Sequence, residues 1–347
     1  MSDFYNGSKL LNLKDLNGKD PEIFICTSNR NAGKTTYFGK YLLNRYIKHG
    51  EKFALLYRYD YDLEGVAERF FSNIQELFFP DREMIGRSAG EGKYTEMFLD
   101  GESCGYALAL NNAKYYRQFS QYFSDIVRIL FDEFQPEDSS DYIRNEITKF
   151  RSIHVSVARG MGKQVRHVPV ILCGNPYSII NPYYSALGIS TRLTKETKFL
   201  RGNGWVMEQG FNQAAAAAAK QSGFNAAFEN HSYFDNIGAG EFLNDINTFI
   251  ESPSGRNHYI CTLKYKNKYY GIRSFDDAGI VFCDTRSDQS FPFRIAVTTN
   301  DMTPNYISIK QNRLLVQMLK KYFHNGMFRF RNLECKQAVF ALLSISE

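Results

Sequence analysis

The segment Cys26-Thr27-Ser28-Asn29-Arg30-Asn31-Ala32-Gly33-Lys34-Thr35-Thr36 constrains this chain more than any other. It follows a predicted buried strand, Ile23 to Cys26. It opens a predicted helix, Thr35 to His49, with Phe38, Leu42, Leu43 and Tyr46 at helical spacing and Gly50 where a helix C-cap is wanted. A Gly-Lys-Thr turn in that context reads as a P-loop, with Ser28 standing where the pattern has its first glycine. Backbone amides from Asn31 to Thr35 are expected to cradle phosphate oxygens at the helix N-terminus. Lys34 is expected to bridge the β and γ phosphates and Thr35 to ligate Mg²⁺. The expected ATP-binding residues are therefore Ser28, Asn29, Arg30, Asn31, Ala32, Gly33, Lys34, Thr35 and Thr36.

A second constellation gives the first its chemistry. Ile126 to Phe131 is a mostly apolar strand that ends in Asp132 and Glu133, so both acids fall at the carboxyl edge of a sheet. Asp132 is expected to hold Mg²⁺ through water, and Glu133 to polarise the attacking water as general base. A further buried strand, Val168 to Cys173, runs into Gly174 and Asn175, where a polar side chain suits a sensor of the γ-phosphate; a plain strand-to-loop turn explains these two residues almost as well. With Phe53 to Tyr57, these runs alternate with helix-like stretches, the pattern of a parallel sheet wrapped by helices.

The 347 residues allow one large domain and one smaller one. The expected division is an ATPase domain over 1–205, a helical linker over 206–256 around the Ala214 to Ala219 run, and a small α+β domain over 257–347. In the last, strands are expected at Tyr259 to Tyr265, Tyr269 to Ser274, Ile280 to Cys283 and Phe293 to Thr298, with a turn at Lys266 and Asn267 and a helix from Arg313 to Phe323. With 44% hydrophobic and 23% charged residues, the composition argues against a disordered or membrane-spanning chain. The scattered cysteines show no zinc spacing and, with no apolar N-terminal stretch, point to a reducing cytoplasm and to no membrane partner. The net charge of +5 permits contact with a polyanion without requiring it.

With Ser28, Arg30, Gly33, Lys34 and Thr35 in hand, the chain resembles the genome-packaging ATPases of tailed bacteriophages, the large-terminase relatives. It is most similar to the short encapsidation proteins of small protein-primed phages of the Picovirinae type, a likeness that also draws on Cys173-Gly174-Asn175 followed by Asn181-Pro182-Tyr183-Tyr184. The resemblance implies an α/β P-loop fold of the ASCE type with a parallel sheet flanked by helices, plus an RNase H-like, nuclease-inactive α+β C-terminal domain. It implies a homo-oligomeric ring, typically of five subunits, that docks transiently on the portal of a prohead in the host cytoplasm and drives double-stranded DNA inward. A structural RNA stays open as a further partner. Such rings complete each site with a neighbour's arginine; position in the pattern favours Arg159, with Arg151 and Arg166 as rivals and a solvated basic loop as the plain alternative.

An active RNase H-like nuclease needs a carboxylate in the middle of its first strand. The strand His258 to Tyr265 has none, and Asp276, Asp277, Asp284 and Asp288 come later, at turns and strand ends. Lys264, Lys266, Lys268 and Arg273 interleave with Tyr265, Tyr269 and Tyr270, which suits either nucleic-acid contact or a hairpin with one packed face. Rival readings are another P-loop translocase or helicase, a nucleotide-switched binding protein, and a small-molecule kinase using Arg82 and Arg87 as lid arginines.

Overall fold

The computed structural model describes residues 5–137, 141–160, 162, 164–177, 181–190, 192–193, 197–210 and 249–344. The chain forms two compact units, Met1–Leu187 with Lys195–Phe242, and Gly188–Thr194 with Leu243–Glu347.

In the first unit a short helix α1 (Ser8–Leu11) precedes β1 (Ile23–Thr27), α2 (Lys34–His49), β2 (Lys52–Tyr57) and α3 (Val66–Phe78). A meander of β3 (Met84–Ala89), β4 (Tyr94–Leu99) and β5 (Glu102–Ala109) leads through α4 (Ala113–Gln118) to β6 (Ile126–Phe131). Then come α5 (Glu146–Val157), β7 (Val170–Gly174), α6 (Pro182–Leu187), β8 (Phe199–Gly202) and β9 (Trp205–Gln209). The sheet order is β3-β4-β5-β2-β6-β7-β1-β9-β8. The six strands from β5 to β9 in that order are parallel, while β3, β4 and β8 pair antiparallel at the flanks.

The central strands are parallel and buried because their sequences are apolar on both faces: β7 reads Val-Ile-Leu-Cys-Gly and is buried throughout. Phe38, Leu42 and Leu43 of α2 and Phe70, Phe71 and Ile74 of α3 pack into one core with Phe53 and Leu55 of β2. Strand β7 lies between the P-loop strand β1 and the acid-bearing β6, which is the ASCE arrangement. All these strands therefore deliver their carboxyl ends to one edge.

The four predicted strands of this unit are present, β7 starting two residues later than Val168, and the α2 cap is as read, with Gly50 left-handed at φ 67°. The antiparallel meander was not anticipated. The boundary expected at 205 falls at the start of β9, whose residues pair with β1 from Ile23↔Trp205 to Thr27↔Gln209, so 206–209 are sheet rather than helical linker. The alanine run 214–219 lies outside the described residues. At the β8–β9 turn a β-carbon on Gly202 would lie 2.1 Å from the indole of Trp205, so only glycine lets this buried ring fold back over the chain.

The second unit contains β10 (His258–Tyr265), β11 (Lys268–Phe275), β12 (Ile280–Asp284), β13 (Arg294–Ala296) and β14 (Ile307–Ser308). These are followed by α7 (Arg313–His324), β15 (Phe328–Phe330) and α8 (Leu333–Ser344). Its sheet order is β14-β13-β10-β11-β12-β15. Strands β10, β11 and β12 are antiparallel, and β13 and β14 add in parallel beside β10, which is the RNase H-like topology. The predicted turn is a two-residue hairpin connection, with Lys266 and Asn267 both left-handed at φ 49° and 60°. Strand β15 and helix α8 were not foreseen.

Candidate active site

The P-loop is the turn between β1 and α2. Within it only Asn31 and Gly33 have left-handed backbones, at φ 60° and 90°. Glycine adopts that conformation freely and asparagine tolerates it, whereas Ser28 has no such demand. This explains why serine is accepted at the pattern's first position: Ser28 is buried and its hydroxyl and carbonyl both accept from the Lys34 ammonium, at 3.1 and 2.9 Å. The Asn29 carbonyl accepts from the same ammonium at 3.0 Å. Gly33 sits at the N-cap of α2, and Thr36 lies in the first turn of that helix. The Ala32 carbonyl is tied from outside the loop by the Tyr5 amide at 2.7 Å. Arg30 projects outward, where it pairs with Glu137 at 2.6 Å and donates to the Tyr177 hydroxyl at 2.9 Å.

The acid pair meets this loop directly. The Thr35 hydroxyl donates to Oδ2 of Asp132 at 2.7 Å, joining the first turn of α2 to the end of β6. Burial holds the Asp132 carboxyl above the ordinary aspartate value, against the pull of the Thr35 hydrogen bond. Burial likewise pulls the Lys34 ammonium below the ordinary lysine value. A hydroxyl and a carboxylate, both hard oxygen donors in contact, form the set that Mg²⁺ takes beside phosphate oxygens, so these residues fit the ion. Glu133 follows in a left-handed backbone, φ 55°, with an exposed side chain and its amide on Oδ1 of Asp132 at 3.1 Å.

Asn175, just beyond β7, accepts from Lys34 at 3.1 Å and donates to the Tyr177 hydroxyl at 3.3 Å. Lys34 with Asn175 and Thr35 with Asp132 thus form two hydrogen-bonded pairs side by side at the start of α2, with Glu133 next to Asp132.

Arg159 is not among these residues. It lies exposed just past the C-terminal end of α5, beside a groove of about 530 Å³ lined with His154, Val155, Ala158, Gln164 and Val165, and it forms no hydrogen bond or ion pair with the described residues. Of its rivals, Arg166 is committed to the end of α5 through the Val157 carbonyl at 2.7 Å, while Arg151 is exposed on the helix itself. The arginines considered for a kinase lid are engaged locally: Arg82 pairs with Asp100 at 2.6 Å and Arg87 lies over the Phe98 ring at 4.4 Å.

One residue of this region escaped the sequence reading. Arg58, immediately after β2, is buried and donates to the Glu133 carbonyl at 2.6 Å and to the Phe134 carbonyl. It also pairs with the buried Glu146 at 3.2 Å. The available signal was a charged residue at the end of an apolar strand, the same pattern that marked Asp132.

In the second unit the middle of β10 carries Thr262, whose hydroxyl contacts the Tyr259 hydroxyl at 2.8 Å and donates to the Asp288 carbonyl at 2.5 Å. The aspartates are engaged nearby: Asp284 with Arg286 at 2.9 Å, Asp288 with the Ser290 hydroxyl at 2.6 Å, and Asp276 with His258 at 3.3 Å. Within the hairpin Lys266 lies over Tyr265 and Arg273 over Tyr259, while Lys268 pairs with Glu334 of α8. From Cys261 to Tyr265 the strand is buried without alternation, whereas His258 is exposed and Tyr259 and Ile260 are half-buried.

A family model described as the podovirus DNA encapsidation protein (Gp16) matches residues 1–346. The chain is 25% identical over 342 residues to the DNA packaging protein of Bacillus phage phi29, covering 98% of this chain and 96% of that protein. The same protein of Bacillus phage PZA is equally similar, at 25% identity over 342 residues. Among solved structures the fold is shared with a chain of the bacteriophage Phi-29 viral genome packaging motor assembly, at 23% identity, full coverage of both chains and a TM-score of 0.63. It is also shared with the Phi-28 gp11 DNA packaging motor, at 17% identity, 99% and 98% coverage and a TM-score of 0.64.

Proposed function

Because the chain belongs to the podovirus DNA encapsidation protein family, we propose that it is the ATPase that drives viral double-stranded DNA through the portal vertex into a preformed prohead. The observation that carries the catalytic half of this reading is the 2.7 Å contact between Thr35 and Asp132, with Lys34 and Glu133 adjacent in sequence to each. Thr35 and Asp132 would hold Mg²⁺, which when bound neutralises charge on the phosphate oxygens. Lys34 exchanges its protein acceptors for phosphate oxygens, the P-loop amides orient the phosphates, and the Glu133 carboxylate takes a proton from the attacking water. Asn175 reports the change to the loop after β7 through Tyr177.

The protein works as a homo-oligomeric ring, of five subunits in this reading, docked on the portal in the host cytoplasm, with a structural RNA left open as a further partner. Arg159 serves the neighbouring site: its exposure and its lack of described partners leave the guanidinium able to reach across a subunit boundary. The domain from 257 onward is nuclease-inactive, since Thr262 stands where the first catalytic carboxylate would be needed. DNA contact is through phosphates, hence salt-sensitive and sequence-blind.

The test is steady-state ATPase activity of wild type, Lys34→Ala and Glu133→Gln, with and without linear double-stranded DNA and portal-bearing proheads. Turnover stimulated by both additions, abolished in each variant and accompanied by nuclease-protected DNA, is the expected result. Stimulation by DNA that ignores proheads would replace the packaging reading with a helicase-like one. For Arg159, mixing Arg159→Ala with Lys34→Ala subunits is expected to restore turnover; absence of rescue would remove its role in trans.

A further inference from the structure

We infer that Arg58 positions the general base, a conclusion that rests on the reading of Glu133 as that base. The Glu133 backbone is left-handed at φ 55°, a conformation that a non-glycine residue adopts at a cost and keeps only where its surroundings impose it. The Phe134 amide, bonded to the Cys173 carbonyl at 3.0 Å, and a guanidinium both hold this turn. Arg58 donates from one nitrogen to the Glu133 carbonyl at 2.6 Å and from another to the Phe134 carbonyl, so it holds the peptide that leaves Glu133 and the one after it.

The guanidinium is itself held by an ion pair and two rings. It pairs with Glu146 at 3.2 Å, and its carbon lies 5.2 Å from the Phe131 ring and 5.1 Å from the Tyr142 ring. Glu146 is held in turn by the Tyr183 hydroxyl at 2.7 Å and by the Ile143 amide at 3.0 Å. A buried ion pair adds little net stability compared with apolar residues of the same volume, because desolvation offsets the attraction. Stability alone therefore gives a weak account of this pair, whereas bonding two carbonyls and a carboxylate at once in fixed directions is what a planar five-donor fork is suited to. Arg58 does not touch the reacting atoms; it is a positioning residue that acts through Glu133.

The test uses the full chain with DNA and proheads. Replacing the pair together, Arg58→Met with Glu146→Leu, avoids stranding a buried charge. It is expected to lower kcat about 100-fold, the scale of an ångström-sized misplacement of a catalytic group, while the Kd for Mg-ATP moves by less than about threefold, since uniform binding is untouched. Arg58→Lys is expected to recover only a small part of the loss. Added to Glu133→Gln, the pair replacement is expected to cost nothing more, because both changes disable the same step. If the pair replacement fails to fold in a thermal melt, Tyr183→Phe removes one support of Glu146 and is expected to lower kcat a few-fold, roughly the effect of one hydrogen bond, with Kd unchanged. Full turnover in the Arg58 variants beside an inactive Glu133→Gln would overturn this inference alone, as would a parallel loss of ATP affinity or an additive loss in the combined variant. Full turnover in Glu133→Gln would instead overturn the reading of the base itself.

Discussion

In the first unit, strands β1, β6 and β7 run out into Lys34, Thr35, Asp132 and Asn175, with Thr35 bonded to Asp132 at 2.7 Å and Lys34 to Asn175 at 3.1 Å. In the second, β10 lies inside a mixed six-stranded sheet, and the Thr262 and Tyr259 hydroxyls bond each other and the Asp288 backbone. One sheet spends its polar side chains on an opening; the other closes them on themselves. Chemistry therefore resides in the side chains at strand ends, and a nuclease-type topology alone supplies none.

The largest effect that would break this contrast is catalytic. Glu133→Gln is expected to lower kcat by about 10²- to 10⁴-fold, the range for a lost general base, while Thr262→Val leaves ATP turnover unchanged; an ATPase assay on both reads the difference. A drop of similar size in Thr262→Val would mean that the second sheet takes part in the reaction cycle. Next, an acid placed by Thr262→Asp is expected to yield no Mn²⁺-dependent DNA cleavage, because Asp284 and Asp288 are already committed to Arg286 and Ser290. Cleavage by that variant would show a metal centre one residue short of completion.

The smallest effects come from protons, and they have opposite signs in the two units. Burial raises the Asp132 carboxyl above its unfolded value, so its ionisation disfavours the fold as pH rises through that interval. On acidification Mg-ATP affinity should begin to fall at a higher pH than an ordinary aspartate would give, readable by titration calorimetry across the acid range. Burial also pushes Asp284 upward, but the Arg286 guanidinium and backbone donors outweigh it and hold the carboxyl low. Its stabilisation is present above the unfolded aspartate value, about 3.9, and is lost only as pH falls through the lower folded value. Urea unfolding of wild type and Asp284→Asn should converge only in that strongly acidic window.

The nucleotide loop was legible in the sequence because everything that makes it is local: a strand, a turn and a helix in one short stretch. The pairing of Thr35 with Asp132 spans 97 residues, yet it too was readable, since each residue ends its own recognisable element. Arg58 was not, because its meaning lies wholly in partners far along the chain, Glu133 75 residues on and Glu146 88 residues on. The meander β3 to β5 was missed for a different reason. Asp100-Gly101, left-handed at φ 52° and 88°, is a strong hairpin signal between alternating runs. But β5 reads Glu-Ser-Cys-Gly-Tyr-Ala-Leu-Ala, with no β-branched residue, and is a strand only because β4 and β2 flank it. In the second unit the hairpin at Lys266 and Asn267 was plain, whereas β15 is too short to leave a pattern.

The ring of Trp205, folded over Gly202 in β9, has a consequence for anyone who would watch this protein at work. It is the chain's one indole, among 23 tyrosines, and its strand lies directly against β1, whose end becomes the phosphate loop. Light absorbed by that ring alone therefore carries a signal from a single known address. Its emission should follow melting of the first unit, so that a colour shift preceding the loss of total secondary structure would show that this half lets go first.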